Sequence, residues 1–187
     1  MKKRSLIIVG VVLLIAQVAF AQNLTNRPTP PTPPVVAQVV DPVMWVMEHE
    51  QRLSTTSKLN ERYFILRDLA PAAYAAKQPE KAEAFAKELI EDGQLLKTTP
   101  GFGPSLLSDG LFIGNTVLGH LAFDAGDFEK AKDHLLKAGN VTGSPVLKSF
   151  GPGMSLAKLL IEKGERETVM KFFDECKKFW DLDNGRL

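Results

Sequence analysis

The sequence predicts an all-α fold built from helix hairpins that stack side by side. Residues 118–139 show the pattern best, because they form two helical segments around a tight turn at 125–127. Apolar residues recur at helical spacing in the second segment, at Phe128, Ala131, Leu135 and Ala138. A helix of three turns cannot bury such a stripe by itself, so it must pack on neighbouring helices. The single cysteine, Cys176, excludes an internal disulfide, and stability must therefore come from this packing.

Helical patterns continue along the chain from residue 41. Asp41 followed by Pro42 predicts an N-cap and a first helical position, and Asp127 predicts a second N-cap. Pro71 lies within a long helical pattern, where a proline is expected to kink the helix or to end its first half. The predicted helices cover about residues 43–53, 58–76, 79 onward, 128–139, 155–163 and 165–180.

The first 42 residues differ from the rest of the chain. Residues 1–21 have a basic head, an apolar run and a final Ala-Phe-Ala, which is typical of a signal peptide cleaved after Ala21. An uncleaved N-terminal membrane anchor is the alternative. Residues 22–42 are rich in proline and form a predicted disordered linker, with a docking site for a proline-reading module as the alternative interpretation. The helical domain then covers residues 43–187, and the expected location is periplasmic or secreted.

Composition and charge exclude several classes of function. Hydrophobic residues make up 44% of the chain and charged residues 24%, as in ordinary globular proteins. Loss of Lys2, Lys3 and Arg4 with the signal peptide leaves 20 basic against 22 acidic residues. This balance gives no basis for binding nucleic acid, and no membrane insertion is expected once the signal is cleaved.

Three segments of the domain align in one register, which places Lys77, Gly126 and Gly164 at the same point of a turn. The segments are AAKQPEKAEAFAKELI, DAGDFEKAKDHLLKAG and EKGERETVMKFFDECK. Their matching positions are Ala82, Ala131 and Val169, then Ala86, Leu135 and Phe173, then Leu89, Ala138 and Cys176. Each segment follows a leucine with a small residue after it, at Leu69-Ala70, Leu118-Gly119 and Leu156-Ala157. We expect the small residues to let the two helices of a hairpin approach closely.

This register resembles the tetratricopeptide repeat, whose signature spreads a Leu-Gly pair, aromatic residues, an alanine and a proline over about 34 residues. Leu118, Gly119, Ala131 and Ala138 match this signature, and Pro145 lies near its closing proline. The first and third units match only partly, and none has the signature tryptophan. The resemblance implies a right-handed stack of about three antiparallel hairpins, at approximately residues 58–98, 106–143 and 150–181.

The spacing between units exceeds the repeat length, and the excess falls in residues 93–110 and 139–153. Both segments are rich in glycine and proline and are predicted as loops, either at a working surface or as tolerated insertions. Each contains the tripeptide Phe-Gly-Pro. We interpret Phe102 and Phe150 as packing anchors first and as ligand contacts second.

The resemblance also implies where a partner would bind, since the inner helix of each hairpin lines a concave face in such arrays. The residues expected there are Arg67, Tyr74, Thr116, His120, Phe123, Asp124, Met154, Lys158 and Glu162. The basic clamp that some family members use for a peptide's C-terminal carboxylate is not reproduced, because Pro71, Val117 and Gly151 occupy its positions.

Evidence for catalysis is sparse. His120 and Asp124 lie four residues apart on one helix and could supply half of a metal site, although a hydrogen-bonded or ionic pair is the favoured interpretation. Cys176 lies in an apolar stripe, where a thiol is usually inert, and His134 is expected to be solvated. No local motif of a hydrolase, nucleotide-binding or metal enzyme occurs in the sequence. We therefore predict no enzyme activity, no cofactor and no metal.

The sequence thus predicts a non-catalytic scaffold or adaptor of the bacterial cell envelope that binds a protein or peptide. One alternative is a small-ligand binder or enzyme that uses the His120 and Asp124 region. A second is a self-assembling structural protein that forms a homo-oligomer through its C-terminal aromatic cluster. That cluster comprises Phe172, Phe173, Cys176, Phe179 and Trp180, whose favoured role is to cover the end of the stack.

Overall fold

The structure is a computed structural model that describes residues 41–180, which belong to the compact unit Val40–Leu187. These residues form eight α-helices and no strand, so the predicted all-α class is confirmed for this part of the chain. The helices are α1 (Pro42–Thr55), α2 (Leu59–Ala75), α3 (Pro79–Lys97), α4 (Pro104–Asp124), α5 (Phe128–Gly139), α6 (Pro145–Phe150), α7 (Ser155–Glu162) and α8 (Arg166–Cys176). The predicted signal peptide and all but the last two residues of the predicted linker lie outside the described residues.

Local sequence sets most helix starts. The Asp41 carboxylate accepts a hydrogen bond from the Val43 N–H at 2.8 Å, and the Asp127 carboxylate accepts one from the Lys130 N–H at 3.0 Å. Both predicted N-caps are therefore confirmed. A proline occupies the start of α1, α3, α4 and α6, where its missing N–H removes no helical hydrogen bond.

Three turns share one backbone geometry. Lys77, Gly126 and Gly164 all have positive φ, at 59°, 79° and 91°, and lie where the sequence alignment placed them. In each turn the following N–H bonds back to a carbonyl five residues earlier: Gln78 to Ala73 at 2.9 Å, Asp127 to Ala122 at 2.9 Å and Glu165 to Leu160 at 3.0 Å. This pattern ends α2, α4 and α7 in the same way and turns the chain into α3, α5 and α8.

Helix α4 lies at the centre of the described fold. It packs against α2, α3, α5, α6 and α7, while α2 also packs on α3 and α5 on α8. One apolar core lies mainly between α1, α2 and α3, and a second lies between α5, α7 and α8. Val117 of α4 belongs to the first core and Phe112 to the second, so this helix joins them.

By length and composition, α4 could cross a membrane, and it is the one helix among the described residues that could. More than half of its apolar stretch is buried inside the protein, as expected for a central core helix. Its glycines bring other helices close. A Cβ on Gly114 would lie 2.8 Å from the Ala86 carbonyl oxygen of α3, and one on Gly119 would collide with Leu156 of α7. Gly119 therefore lets α4 approach α5 within the same hairpin, as predicted. Its closest neighbour, however, is Leu156 of α7, so its larger effect is on the packing of α4 against α7.

The first predicted loop, residues 93–110, is largely helical instead. Helix α3 continues to Lys97 and α4 begins at Pro104, so only residues 98–103 form a turn. The reason is that Gly93 and Gly110 lie inside helices, where they permit close packing. A Cβ on Gly93 would be 3.5 Å from the Leu107 Cα, and one on Gly110 would be 3.2 Å from the Leu89 carbonyl oxygen. Tyr63 fixes this junction by donating a hydrogen bond to the Leu106 carbonyl.

The second predicted loop, residues 139–153, contains the short helix α6, which the sequence did not indicate. Helix α5 ends at Gly139, as predicted, and the missing side chain of this glycine leaves room for Phe172. Phe102 is half-buried against the first core, as expected of a packing anchor. Phe150 is 85% exposed, so its predicted role as a packing anchor is wrong, because Leu147 is the residue through which α6 enters the core.

Two smaller expectations also differ from the structure. Pro71 neither ends nor divides α2, which runs unbroken from Leu59 to Ala75 with the proline exposed. Helix α8 ends at Cys176 rather than near residue 180. The aromatic residues beyond it still cover the end of the fold: Phe179 is buried against Gly143, and Trp180 packs against Gly151.

Candidate functional site

The nine residues predicted to line a binding face come from α2, from α4 and from the start and body of α7. Because α4 packs against both α2 and α7, these helices lie beside one another in the fold. We call the accessible side chains of this group the inner face. The residues of the group are Arg67, Tyr74, Thr116, His120, Phe123, Asp124, Met154, Lys158 and Glu162.

A polar network links the three helices across the inner face. The Tyr74 hydroxyl donates a hydrogen bond to the Asp124 carboxylate at 2.9 Å. The Tyr74 ring stacks on the His120 ring with centroids 5.1 Å apart. On its other side, His120 Nε2 forms a 2.9 Å hydrogen bond with the Ser155 hydroxyl at the start of α7. His120 thereby contacts both neighbouring helices.

His120 is a structural link rather than an open groove residue. It is only 8% exposed, and its Nδ1 has no hydrogen-bond partner among the described residues. Burial lowers the pKa of His120, and the nearby Asp124 carboxylate opposes this shift only in part. The ring is therefore neutral at physiological pH. The predicted direct pair between His120 and Asp124 is not formed, because Asp124 bonds to Tyr74.

Aromatic and apolar residues remain partly accessible at the turn end of the inner face. Phe123 packs edge-on against Phe128 at 5.2 Å between ring centroids. The Lys163 ammonium lies 5.3 Å from the Phe128 ring centroid, and the Lys77 ammonium lies 5.5 Å from that of Tyr74. These are cation–π distances, so both lysines cover aromatic faces.

The remaining predicted residues are less constrained by their neighbours. The Thr116 hydroxyl bonds to the Phe112 carbonyl of its own helix, and the Arg67 guanidinium lies over the Phe64 ring. Met154 is half-buried against the second core. Within residues 41–180, Lys158 and Glu162 are exposed and take part in no ion pair or side-chain hydrogen bond.

A cleft that the sequence did not indicate opens beside the inner face. It has a volume of about 370 Å³ and is lined by Tyr74, Lys77, Pro79, Leu121, Asp124 and Ala125. A second cleft of about 270 Å³ shares Pro79, Leu121 and Ala125 with the first and extends to the N-terminal ends of α3 and α5. The shape of this cleft depends on the relative position of the first two hairpins, α2–α3 and α4–α5. Sequence patterns within a single helix do not predict that position.

A second polar cluster lies where the two predicted loops meet. Ser108 of α4 bonds to Thr142 at 2.9 Å, and the buried Ser144 hydroxyl donates to the Asp109 carboxylate. Burial raises the pKa of Asp109, although the Ser144 hydrogen bond and the charge of Arg67 act in the opposite direction. These contacts fasten the segment between α5 and α6 to helix α4 and serve packing.

Other titratable groups follow their surroundings. His134, expected to be solvated, is partly buried and bonds to the Asn115 side chain at 3.0 Å. Burial raises the pKa of the Cys176 thiol to about 12, so the reactive thiolate does not form at neutral pH. Among the described residues, no three histidine, cysteine or acidic side chains come together as a metal site would require.

No family model, curated protein or solved structure matches the chain.

Proposed function

We propose that α2–α3, α4–α5 and α7–α8 are three hairpins of a right-handed, tetratricopeptide-like stack, with α6 as an insertion between the second and third. The three turns with the same φ sign and hydrogen bonds support this arrangement. So do the equivalent positions Ala82, Ala131 and Val169, which are all buried. The packing of α4 on both α2 and α7 is the contact expected between inner helices of successive units.

We propose further that the protein is a non-catalytic scaffold that binds a protein or peptide on its inner face. We add Ile161 to the inner face, because it occupies the position equivalent to Tyr74 and Phe123. One observation carries this proposal: each of these three residues lies three positions before a positive-φ turn residue, and all three remain accessible. An accessible stripe of large apolar side chains that crosses successive helices is typical of an interaction surface.

The outer helices provide the contrast. Helices α3, α5 and α8 carry ion pairs between neighbouring turns, including Glu83–Lys87, Asp133–Lys137 and Glu167–Lys171. Such pairs satisfy a solvated surface without any partner. In the described part of the chain, α4 and α7 have no ion pair, whereas the third inner helix, α2, pairs Arg67 with Asp68 and Arg62 with Glu88 and Asp92. The difference between α4 and α7 on one side and the outer helices on the other favours binding at the inner surface.

The cellular setting of this proposal comes from the sequence. The signal-like residues 1–21 and the proline-rich segment that follows favour an exported protein whose domain is held away from the export signal by a spacer. An adaptor or assembly factor of the bacterial cell envelope fits this setting.

Site-specific photo-crosslinking tests the binding face. A photoreactive phenylalanine analogue would replace Ile161 on the inner face or Met170 on the outer helix α8, since both side chains are similarly exposed, at 40% and 46%. We expect discrete crosslinked products in the cell envelope from position 161 and none from position 170. Products from position 170 alone, or from neither position, would overturn the assignment.

A further inference from the structure

We infer that the segment bound on the inner face combines apolar side chains with carboxylates. This inference rests on the proposed function and specifies the chemistry of its partner. It depends on three features of the inner face and its turn edge, namely lysines without carboxylate partners, the acids beside them, and the apolar cleft next to Tyr74.

Three lysines at this surface lack a carboxylate partner, as do Lys97, Lys130 and Lys148 elsewhere in residues 41–180. Within residues 41–180, Lys77, Lys158 and Lys163 form no ion pair, whereas every lysine of α8 and the two residues after it pairs with an acid. Lys158 lies on α7, while the other two lie in the turns after α2 and α7. The protein thus leaves three cations unneutralised on one surface.

Two of these cations lie directly beside apolar contact area. Lys77 covers the Tyr74 ring and Lys163 covers the Phe128 ring, which in turn packs on Phe123. An ammonium group over a ring keeps N–H donors free for a carboxylate. A ligand with a carboxylate next to an apolar side chain could therefore form an ion pair with one of these lysines and, at the same time, bury the adjacent aromatic side chain.

The acids of the same surface are mostly engaged. Asp124 accepts the Tyr74 hydroxyl, and Asp68 lies 3.3 Å from the Arg67 guanidinium. Glu162 is the one carboxylate of the group without such a contact in the described part of the chain. The neutral Tyr74 hydroxyl leaves the charge of Asp124 in place, so three unpaired lysines face the two carboxylates of Asp124 and Glu162. The excess of one positive charge gives the surface an electrostatic preference for acidic ligands.

The cleft beside Tyr74 supplies the apolar component. Its walls include Leu121, Pro79 and Ala125, and the charged residues Lys77 and Asp124 also line it. Its volume of about 370 Å³ is at the lower end of the range of ligand sites, which suits a single large side chain rather than a cofactor. An apolar residue flanked by Asp or Glu would fill the cleft and meet Lys77.

Binding of designed peptides tests the inference. Fluorescein-labelled peptides of alternating Leu and Glu, Leu and Lys, or Ser and Glu would be titrated against the chain without residues 1–21, with anisotropy as the readout. We expect the Leu/Glu peptide to bind best. Lys158→Glu with Lys163→Glu should weaken that binding by roughly tenfold and strengthen binding of the Leu/Lys peptide, as for reversed charges at an interface rim.

The matched control is Lys97→Glu with Lys148→Glu, which makes the same charge change at exposed lysines outside the nine-residue group and its turns. It should leave the affinity for the Leu/Glu peptide within about twofold of the original value. Circular dichroism would establish that both double variants keep their helical content. An equal loss in the control and test variants would mean that only net charge matters, which overturns the inference.

The two proposals fail in different ways. Preference for the Leu/Lys peptide, abolished by Leu121→Asp or Ile161→Asp, would keep the inner face as the binding site and overturn only the acidic chemistry. Binding of the Leu/Glu peptide that these substitutions leave unchanged would place the peptide elsewhere and overturn both proposals. Absence of binding by all three peptides would overturn the inference about partner chemistry, while the crosslinking at position 161 still decides the binding face.

Discussion

The turns within the hairpins and the links between them are built in different ways. The turns at Lys77, Gly126 and Gly164 use only local backbone hydrogen bonds, and a Cβ added at either glycine would meet nothing within 4 Å. The links depend on distant partners, such as Ser144 on Asp109 and Gly143 on Phe179. The comparison shows that glycines with the same positive φ can be required for different reasons. In the turns the local backbone hydrogen bonds require this conformation, whereas in the link the residue that packs against the glycine also excludes a side chain.

The largest expected effect comes from Gly143→Ala, compared with Gly126→Ala. Both glycines have nearly the same φ, at 78° and 79°. Only at Gly143 would the new Cβ meet a neighbour, the Phe179 Cβ at 2.5 Å, which cannot rotate away. We expect a loss of about 2–4 kcal/mol in the free energy of unfolding for Gly143→Ala and of about 1 kcal/mol for Gly126→Ala. Urea denaturation of both variants measures this, and equal losses would show that packing adds nothing in the link.

A smaller loss is expected for Ser144→Ala. The Ser144 hydroxyl accepts from the Leu147 N–H at 3.1 Å as the N-cap of α6 and donates to Asp109, so its removal leaves a buried carboxylate without that donor. The free energy of unfolding should fall by about 2 kcal/mol. Ser149→Ala on the exposed side of the same helix is the control and should change it by less than about 0.5 kcal/mol. Indistinguishable thermal melts for the two variants would argue against the anchoring role of Ser144.

A substitution in the first turn, at Lys77, is expected to increase stability rather than reduce it. Lys77 is the one described residue other than glycine with positive φ, a conformation that costs a side-chain-bearing residue about 1–2 kcal/mol. Lys77→Gly should therefore raise the free energy of unfolding by about 0.5–1 kcal/mol, after allowance for the greater freedom of glycine in the unfolded chain. Lys163→Gly removes a lysine from outside the left-handed region and should instead destabilise. A loss of stability in Lys77→Gly, measured by the same denaturation, would mean that its contact with Tyr74 outweighs the strain.

The smallest expected effect concerns pH. Burial raises the pKa of Asp109 in the folded state above its value in the unfolded chain, so the folded protein holds this proton more tightly. The resulting stabilisation is complete below the unfolded pKa and is lost as the pH rises through the folded one. Asp109→Asn keeps an acceptor for Ser144 and cannot ionise, so its stability relative to the original chain should increase as the pH rises above the ordinary aspartate pKa of 3.8. A pH series of denaturation curves with a constant difference would contradict this account.

Sequence patterns predicted much of the fold, but they did not predict the structure of the links between hairpins. The N-caps at Asp41 and Asp127 and the turn at Gly126 depend on residues within a few positions, so local chemistry suffices to predict them. Residues 93–110 look like a loop because they contain the run Pro100-Gly101-Phe102-Gly103-Pro104, and Gly93 and Gly110 weaken the helical pattern on either side of it. Contact with a second helix reverses that preference, and no local window contains the second helix.

The candidate site was predicted in part. The choice of α2, α4 and α7 as the helices of one surface agrees with their packing, whereas the roles of individual side chains do not follow from spacing. His120 was expected on an open face and is buried, because Tyr74 comes from another helix and covers it. Phe150 was expected in the core and is exposed, because Leu147 enters the core instead.

The sequence by itself determined where helices begin, where the chain turns and which stripes of each helix are apolar. Each of these is decided by a side chain acting on its own or adjacent backbone, or by a periodicity within one helix. Only the tertiary structure decided that α3 and α4 extend through a glycine-rich segment, that α6 forms, and that His120 lies buried between two helices. These features depend on close approach between residues far apart in the chain, where the exclusion of water and the absence of a Cβ outweigh local preference.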